Sequence, residues 1–295
     1  MSNISEKIKI NSELCEKALA SYCKDGDKEL QTLFDAESYS LLGGGKRIRP
    51  FIVNQVCVSL GGSLEASMPF AAALEMIHTY SLIHDDLPCM DDDDMRRGKP
   101  TNHKVFGYST ALLAGDALLT KAFLVAASNS HVDRATASAA VCALGEAAGE
   151  CGMIGGQIID LMGETKKLEF EQLLRLHSLK TGALIRCAAE LGALAAGYER
   201  GDEKTKEAVK YADGIGLAFQ VIDDILDATS TAEEIGKSVG GDAERNKTTF
   251  LTYFDINGAE DYARKLTADS VKAIESWESS EILCDLAEYL LNRKY

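Results

Sequence analysis

The sequence predicts an all-α fold, a single-domain bundle of roughly ten or more helices over residues 1–295. Three observations lead there. Apolar residues make up 46% of the chain, with Ala and Leu recurring at helical spacing and little that alternates as a half-buried strand would. Only four prolines occur, and no Ser/Pro-rich or Gly/Ser-rich linker separates two units. The long polar stretches, residues 85–106 and 228–248, each follow an apolar run that ends in aspartates.

In chain order, the periodicity predicts helices over Asn11–Cys23, Glu29–Leu42, Ile48–Leu60 and Leu64–Ile83, with Gly61-Gly62 as the stop of the third. Asp85 to Phe106 is dense in Asp, Arg, Lys and Gly and reads as a loop over the end of the fourth helix. Helical spacing resumes over Thr110–Ala127, Asp133–Gly149, Gly152–Met162, Phe170–Leu176, Leu179–Ala196 and Lys204–Asp227. A second polar loop, Ala228–Thr248, precedes closing helices over Glu260–Ser276 and Glu281–Leu291. The order of helix, aspartate cluster and basic loop thus occurs twice, and a bundle with both loops at one end accommodates it most simply.

The formal net charge of −15 argues against nucleic acid or an anionic membrane as the main partner. It would also oppose an anionic substrate unless divalent cations bridge carboxylate to phosphate and invert the local field. The eight cysteines contain no C-x-x-C pair and sit mostly in apolar helical contexts, which reads as buried free thiols in a reducing compartment. No basic-then-apolar leader is seen and the apolar stretches fall short of a membrane span, so a cytoplasmic location is expected.

The chemistry is concentrated in two aspartate clusters, Asp85-Asp86-Leu87-Pro88-Cys89-Met90-Asp91 and Asp223-Asp224-Ile225-Leu226-Asp227. Carboxylates beside core sequence need a counter-charge, and hard oxygen ligands with few His or Cys partners suit Mg²⁺. On a helix Asp223 and Asp227 share a face, with Asp224 adjacent and Gln220 one turn earlier on the same side. An isolated D-D-x-x-D is more often a solvated helix end. Here the flanks Leu217-Ala218-Phe219 and Val221-Ile222 are too apolar for that. In the first cluster Pro88 ends regular helix, so Asp91 must fold back over Asp85 and Asp86. Asp92, Asp93 and Asp94 are left as solvated charges.

Basic groups stand beside these clusters in Gly43-Gly44-Gly45-Lys46-Arg47-Ile48-Arg49-Pro50 and Arg96-Arg97-Gly98-Lys99-Pro100. Glycines let backbone N–H groups approach an oxyanion, and Arg binds phosphate in a bidentate fork. The first run does not fit G-x-x-x-x-G-K-[ST] and no strand precedes it, which excludes a P-loop nucleotidase. His78 lies two turns before Asp85 on the same face, whereas His84 reads as a core histidine. Two carboxylate sets and two anion sites imply two phosphorylated substrates in one apolar-lined central cavity.

These motifs resemble those of the trans-type (E-) isoprenyl diphosphate synthases, and the resemblance runs from Gly43 to the C-terminal helices. It rests on Gly44-Gly45-Lys46-Arg47-x-Arg49-Pro50, the long first aspartate motif followed by Arg96-Arg97-Gly98, Gln157, Lys180-Thr181, Gln220-x-x-Asp223-Asp224-x-x-Asp227, Gly236-Lys237 and Asn246-Lys247. The long first spacing resembles that of bacterial farnesyl and plant-type geranylgeranyl diphosphate synthases. The resemblance implies the isoprenoid synthase type I fold and a homodimer. It further implies that Lys46, Arg49, His78 and Arg97 hold the diphosphate of isopentenyl diphosphate. Asp85, Asp91 and Asp223, with Asp86, Asp224 and Asp227, would hold three Mg²⁺ ions, or Mn²⁺ in their place, on the allylic diphosphate. Arg96, Lys180, Lys237 and Lys247 would assist them, with Thr181 and Gln220 near the developing cation.

The reaction implied is head-to-tail condensation: diphosphate leaves the allylic C1, and the double bond of isopentenyl diphosphate attacks the resulting cation. Tyr80 and Ser81 lie roughly 6 to 8 Å below Asp85 on a helix rising about 1.5 Å per residue, where a tyrosine can floor the chain tunnel. Bacterial farnesyl synthases resemble this Tyr80-Ser81 pair, so a C15 product, farnesyl diphosphate, is expected, with a C20 geranylgeranyl product as the alternative. A class I terpene cyclase would need no Gly44–Pro50 site. A non-catalytic partner subunit would have lost acidic or basic site residues, and none is missing. A plain helical scaffold with solvated acidic ends would not explain the alternation of acidic and basic clusters at helix ends.

Overall fold

A computed structural model describes residues 4–229 and 247–293. The most apolar of the predicted helices with an aspartate end, α4 (Leu64–Asp85), starts at Ser63, whose hydroxyl accepts the Ala66 N–H at 3.3 Å, and is buried nearly all round. Around it lie α1 (Ile4–Tyr22), α2 (Gln31–Leu41), α3 (Ile48–Ser59), α6 (Tyr108–Ala127), α7 (Arg134–Ala148) and α10 (Ala183–Ala195). The second aspartate cluster ends α11 (Glu203–Thr229), which packs on α10, α12 (Ile256–Ala273) and α13 (Glu281–Leu291). Flanking the cavity are α8 (Met153–Thr165) and α9 (Phe170–His177), and a 3₁₀ turn, Phe250–Thr252, follows the second acidic helix. One large core cluster surrounds α3, α4 and α10, and a smaller one, with Leu173, Val221 and Phe250, supports the end of α11.

The helical expectation holds, with local differences that have physical reasons. Helix α1 starts at Ile4 rather than Asn11, because Ile8, Asn11, Cys15 and Leu19 form one continuous buried stripe. The predicted loop 85–106 contains a hairpin, β1 (Met95–Arg96) antiparallel to β2 (Lys99–Pro100), and a short helix α5 (Asn102–Phe106). The Asn102 amide ties that segment to α2 through the Ala36 carbonyl and Ser40 hydroxyl, both at 2.8 Å. Helix α12 starts at Ile256, capped by Asp255, which accepts the Gly258 N–H at 2.7 Å. The two helices predicted on either side of Ser178 are joined by a π-helical turn, Ser178–Gly182.

Two further expectations are corrected. The 20-residue α6 is long and apolar enough, by length and composition, to cross a membrane, although it packs Ala111, Ala114 and Leu118 against the core. Cys15, Cys57 and Cys187 are buried as expected, but Cys89, Cys142 and Cys151 are exposed.

Candidate active site

The first aspartate cluster folds as Pro88 requires. Beyond α4 the chain doubles back, and the Asp91 N–H donates to the Asp85 carbonyl at 2.8 Å while Asp92 takes a positive φ of 53°. Asp91 is therefore returned over Asp85. Burial pushes the Asp85 carboxyl up to about 6; Asp91 and Asp86 add to the shift, and Lys180 and Arg96 oppose it.

Asp86 is oriented differently from the sequence expectation. It is buried, and the Arg96 guanidinium clamps it, with Nε at 2.7 and 2.9 Å from the two carboxylate oxygens and Nη2 at 2.6 Å from Oδ1. The expected metal ligand and the expected diphosphate cation are thus spent on one another, because the β1–β2 hairpin carries Arg96 back over the end of α4. The next residue, Arg97, has a φ of 52° and turns the other way, donating to the Gly44 carbonyl. Gly45 must be glycine: its φ is 127°, and a Cβ there would lie 2.8 Å from Arg97 Nη1.

Lys46, Arg49, His78 and Arg97 line one cavity of about 250 Å³, with Ile52, Phe219 and Tyr289 as apolar walls. The Lys46 ammonium stands 5.6 Å over the Tyr289 ring. Arg49 Nε is buried without a hydrogen-bond partner among the described residues, an arrangement that asks for an anion. Burial first, then the charges of Arg49 and Arg97, holds the His78 pKa well below its usual value, so His78 stays neutral. The adjacent Arg47 borders the same cavity but has its terminal nitrogens engaged, Nη1 2.6 Å from Glu75 Oε1 and Nη2 2.6 Å from the Leu41 carbonyl.

A second cavity, about 490 Å³, is lined by residues from α8, the π-turn, α11 and the segment after 246, among them Lys180, Thr181, Gln220, Asp223, Asp227 and Lys247. Asp160 on α8 binds two of the predicted cations at once, Lys180 Nζ at 2.5 Å and Lys247 Nζ at 2.9 Å. Burial alone would raise the Asp160 pKa, but the two ammonium groups outweigh it and hold it below the usual range. Thr181 Oγ1 donates to Gln220 Oε1, and Gln220 Nε2 lies 3.5 Å from Asp223 Oδ2. Gly156 makes this close assembly possible, since a Cβ there would sit 2.2 Å from the Lys180 backbone nitrogen.

In the second cluster Asp223, Asp224 and Asp227 all line the cavity, and Asp224, the most buried of the three, also accepts the Phe250 N–H at 2.7 Å. Asp223 Oδ1 pairs with Arg293, whose guanidinium lies 3.7 Å over the Phe219 ring and borders both cavities. Among the described residues no three acidic, His or Cys side chains converge tightly enough to hold a metal ion by themselves. An all-oxygen donor set split across a cavity still fits Mg²⁺, which takes one or two carboxylates and completes its shell with water and phosphate. Lys237 lies outside the described residues.

Three site residues escaped the sequence reading: Asp160, Arg293 and His177, whose ring stacks on Phe250 and whose Nε2 is buried and unpartnered among the described residues. Asp160 had a usable signal, lying one turn after Gln157. Arg293 had none, because only the packing of α13 against α11 brings the chain end to Asp223.

A family model described as Polyprenyl synthetase matches residues 30–283. The chain is 42% identical over 267 residues, 89% of its length and 76% of the relative's, to "Geranylgeranyl pyrophosphate synthase 7, chloroplastic" of Arabidopsis thaliana. It is 40% identical to a dimethylallyltranstransferase of Fischerella ambigua, over 99% of this chain and 84% of the relative. Among solved structures, an apo FPP/GFPP synthase from Zymomonas mobilis superposes with a TM-score of 0.87 at 33% identity, covering 98% of this chain and 99% of that one. A geranyltransferase from Helicobacter pylori, complexed with magnesium and isoprenyl diphosphate, gives 0.84 at 32% identity, covering 99% and 97%.

Proposed function

The chain belongs to the polyprenyl synthetase family, and from that premise we propose that it is a Mg²⁺-dependent trans-prenyltransferase joining isopentenyl diphosphate head-to-tail to an allylic diphosphate. The observation that carries the reading is the pair of abutting cavities: one walled by Arg49, His78 and Arg97, the other by Asp223, Asp227, Lys180 and Lys247, with Arg293 bordering both. Two anionic substrates can then lie side by side, each with its own cations.

In this reading Arg49 and Arg97 grip the diphosphate of isopentenyl diphosphate, and neutral His78 adds a ring N–H without further charge. Asp85, Asp91, Asp223 and Asp227 would hold Mg²⁺, which when bound neutralises the allylic diphosphate as it departs. Lys180 and Lys247, both fixed on Asp160, present their charge to the same leaving group without reorganising during the reaction. Thr181 and Gln220, bonded to each other, offer hydroxyl and amide dipoles to the allylic C1. The apolar walls Phe219 and Ile215 exclude water that would quench the cation. The proton lost from isopentenyl diphosphate goes to the released diphosphate, so no protein base is required.

For product length the names of the relatives favour C20, geranylgeranyl diphosphate, over the C15 product expected from Tyr80. Helix geometry supports the longer product: Ser81, small, lies one turn beneath Asp85, while Tyr80 shares the side of His84, against which its ring packs edge-on at 5.6 Å. The C15 reading remains the second, carried by the bulk of a buried Tyr80 near the end of α4. A homodimer fits the exposed Leu113 and Leu124 of α6 and Ile158 and Met162 of α8, apolar area that a second copy would cover. The test is diphosphate release that needs Mg²⁺ and both substrates, with products resolved by chromatography. Release with the allylic substrate alone would overturn the reading. A C20 main product supports the first reading of length; a C15 product that lengthens in Tyr80→Ala supports the second.

A further inference from the structure

The π-turn Ser178–Gly182 carries Lys180 and Thr181, and its placement against α11 rests on two tie points. One is the Thr181–Gln220 hydrogen bond inside the site. The other lies outside it, on the far side of the turn. Arg186, in the first turn of α10, reaches back so that Nη2 donates to the Ser178 carbonyl at 3.0 Å and Nη1 to the Ser178 hydroxyl at 3.1 Å. The same Nη1 is 2.6 Å from Asp213 Oδ1 on α11.

We infer that Arg186 and Asp213 form a positioning pair that sets the Lys180-Thr181 turn at a fixed height along α11, the helix that also carries Gln220 and Asp223. This rests on the prenyl-transfer reading of the site. A π-turn inserts one residue into the helical ladder and loosens its carbonyl pattern, so its register has to be held by something other than the α-helical bonds. Arg186 satisfies the first carbonyl of the turn and fastens it to a neighbouring helix. Asp213 is seven residues before Gln220, about 10 Å along the helix axis, so the two ties are well separated and together prevent sliding and tilting. Gly182 is shaped for this arrangement: a Cβ there would lie 3.0 Å from Arg186 Nη1. On the opposite side Gly156 admits the turn's backbone against α8. Neither Arg186 nor Asp213 lines the two site cavities.

The experiment compares Asp213→Asn, whose side chain is exposed and tolerates substitution, with Arg186→Gln and Arg186→Lys. Two readouts are used. In hydrogen exchange, both loss variants should speed exchange of the amides of residues 178–183 while leaving the start of α11 unchanged. In steady-state kinetics they should lower kcat about 10-fold or more, a size appropriate to displacing a positioned group by a fraction of an ångström. KM for isopentenyl diphosphate should stay within about twofold, because its cavity is anchored elsewhere. Arg186→Lys should recover part of the loss, and combining Asp213→Asn with Thr181→Val should give less than the product of the single effects. Folded variants with wild-type exchange at 178–183 overturn the inference whether or not the protein is active. So does a loss that multiplies fully with Thr181→Val. An inactive wild type with the expected exchange change would instead remove the prenyl-transfer reading and leave the brace.

Discussion

Asp85→Asn should make the metal-free protein more stable while disabling it. In the unfolded chain the carboxyl titrates near 3.8, and in the folded protein burial raises it to about 6. Between those values the folded protein holds a proton that the unfolded chain has lost, so stability falls as pH rises through this window. Above about 6 the penalty is complete, and below about 4 it is absent. Two pK units correspond to about 3 kcal/mol, which solvent screening of a partly buried carboxylate reduces to about 1–2 kcal/mol. An amide of the same shape carries no such penalty. Thermal unfolding in a chelator near pH 7.5 should therefore give the variant a Tm about 2–6 °C above wild type, and the gap should close toward pH 4. Adding Mg²⁺ with a diphosphate should raise the wild type more than the variant, and turnover should fall at least about 10²-fold. An Asn variant no more stable than wild type at pH 7.5, or a gap that does not change with pH, would refute the argument that Asp85 is held in an electrostatically unfavourable position for the sake of a metal.

Asp160→Asn should free Lys180 and Lys247 from their shared anchor and lower kcat by about 10²-fold with little change in fold, read by steady-state kinetics beside circular dichroism. An unaffected kcat would mean that the lysines need no fixed partner. Glu75→Gln should cost about 3 kcal/mol in chemical denaturation, because it removes the buried carboxylate 2.6 Å from the Arg47 guanidinium and leaves only Glu16, 3.7 Å away, as counter-charge. A loss below about 1 kcal/mol would show that the Leu41 carbonyl and the Glu16 carboxylate suffice.

The bundle was legible because its helices carry continuous apolar faces: Leu64 to Asp85 needed only the absence of polar interruption, and the loop after it only Pro88. What local pattern could not reach were features set by contact between distant segments. The hairpin at 95–100 is too short for a strand signal, and it is held by Tyr39 and Asn102 bonding across to and from α2. The π-turn is invisible to periodicity, since its residues all keep right-handed helical backbone and differ from an α-helix only in bond register. For Asp86 and Asp224, spacing along the chain does not say which protein group a carboxylate meets. Each also meets a protein donor, Arg96 for Asp86 and the Phe250 N–H for Asp224, which still lines the second cavity.

Such pairing also resolves the tension between a chain of net charge −15 and two anionic substrates. Net charge governs the distant field, and the local field is set by pairing. Asp86 is cancelled by Arg96, Asp223 by Arg293, and Asp160 by two lysines. In the neighbouring cavity the buried Arg49 carries an Nε–H unpartnered among the described residues, and His78 carries no charge. Asp85 is the carboxylate whose pKa burial raises, with the charges of Lys180 and Arg96 opposing the shift. On the proposed reading, Asp85 and Asp91 would offer carboxylate oxygens to a divalent ion, and Lys180 and Lys247, held on Asp160, would offer positive charge to a diphosphate.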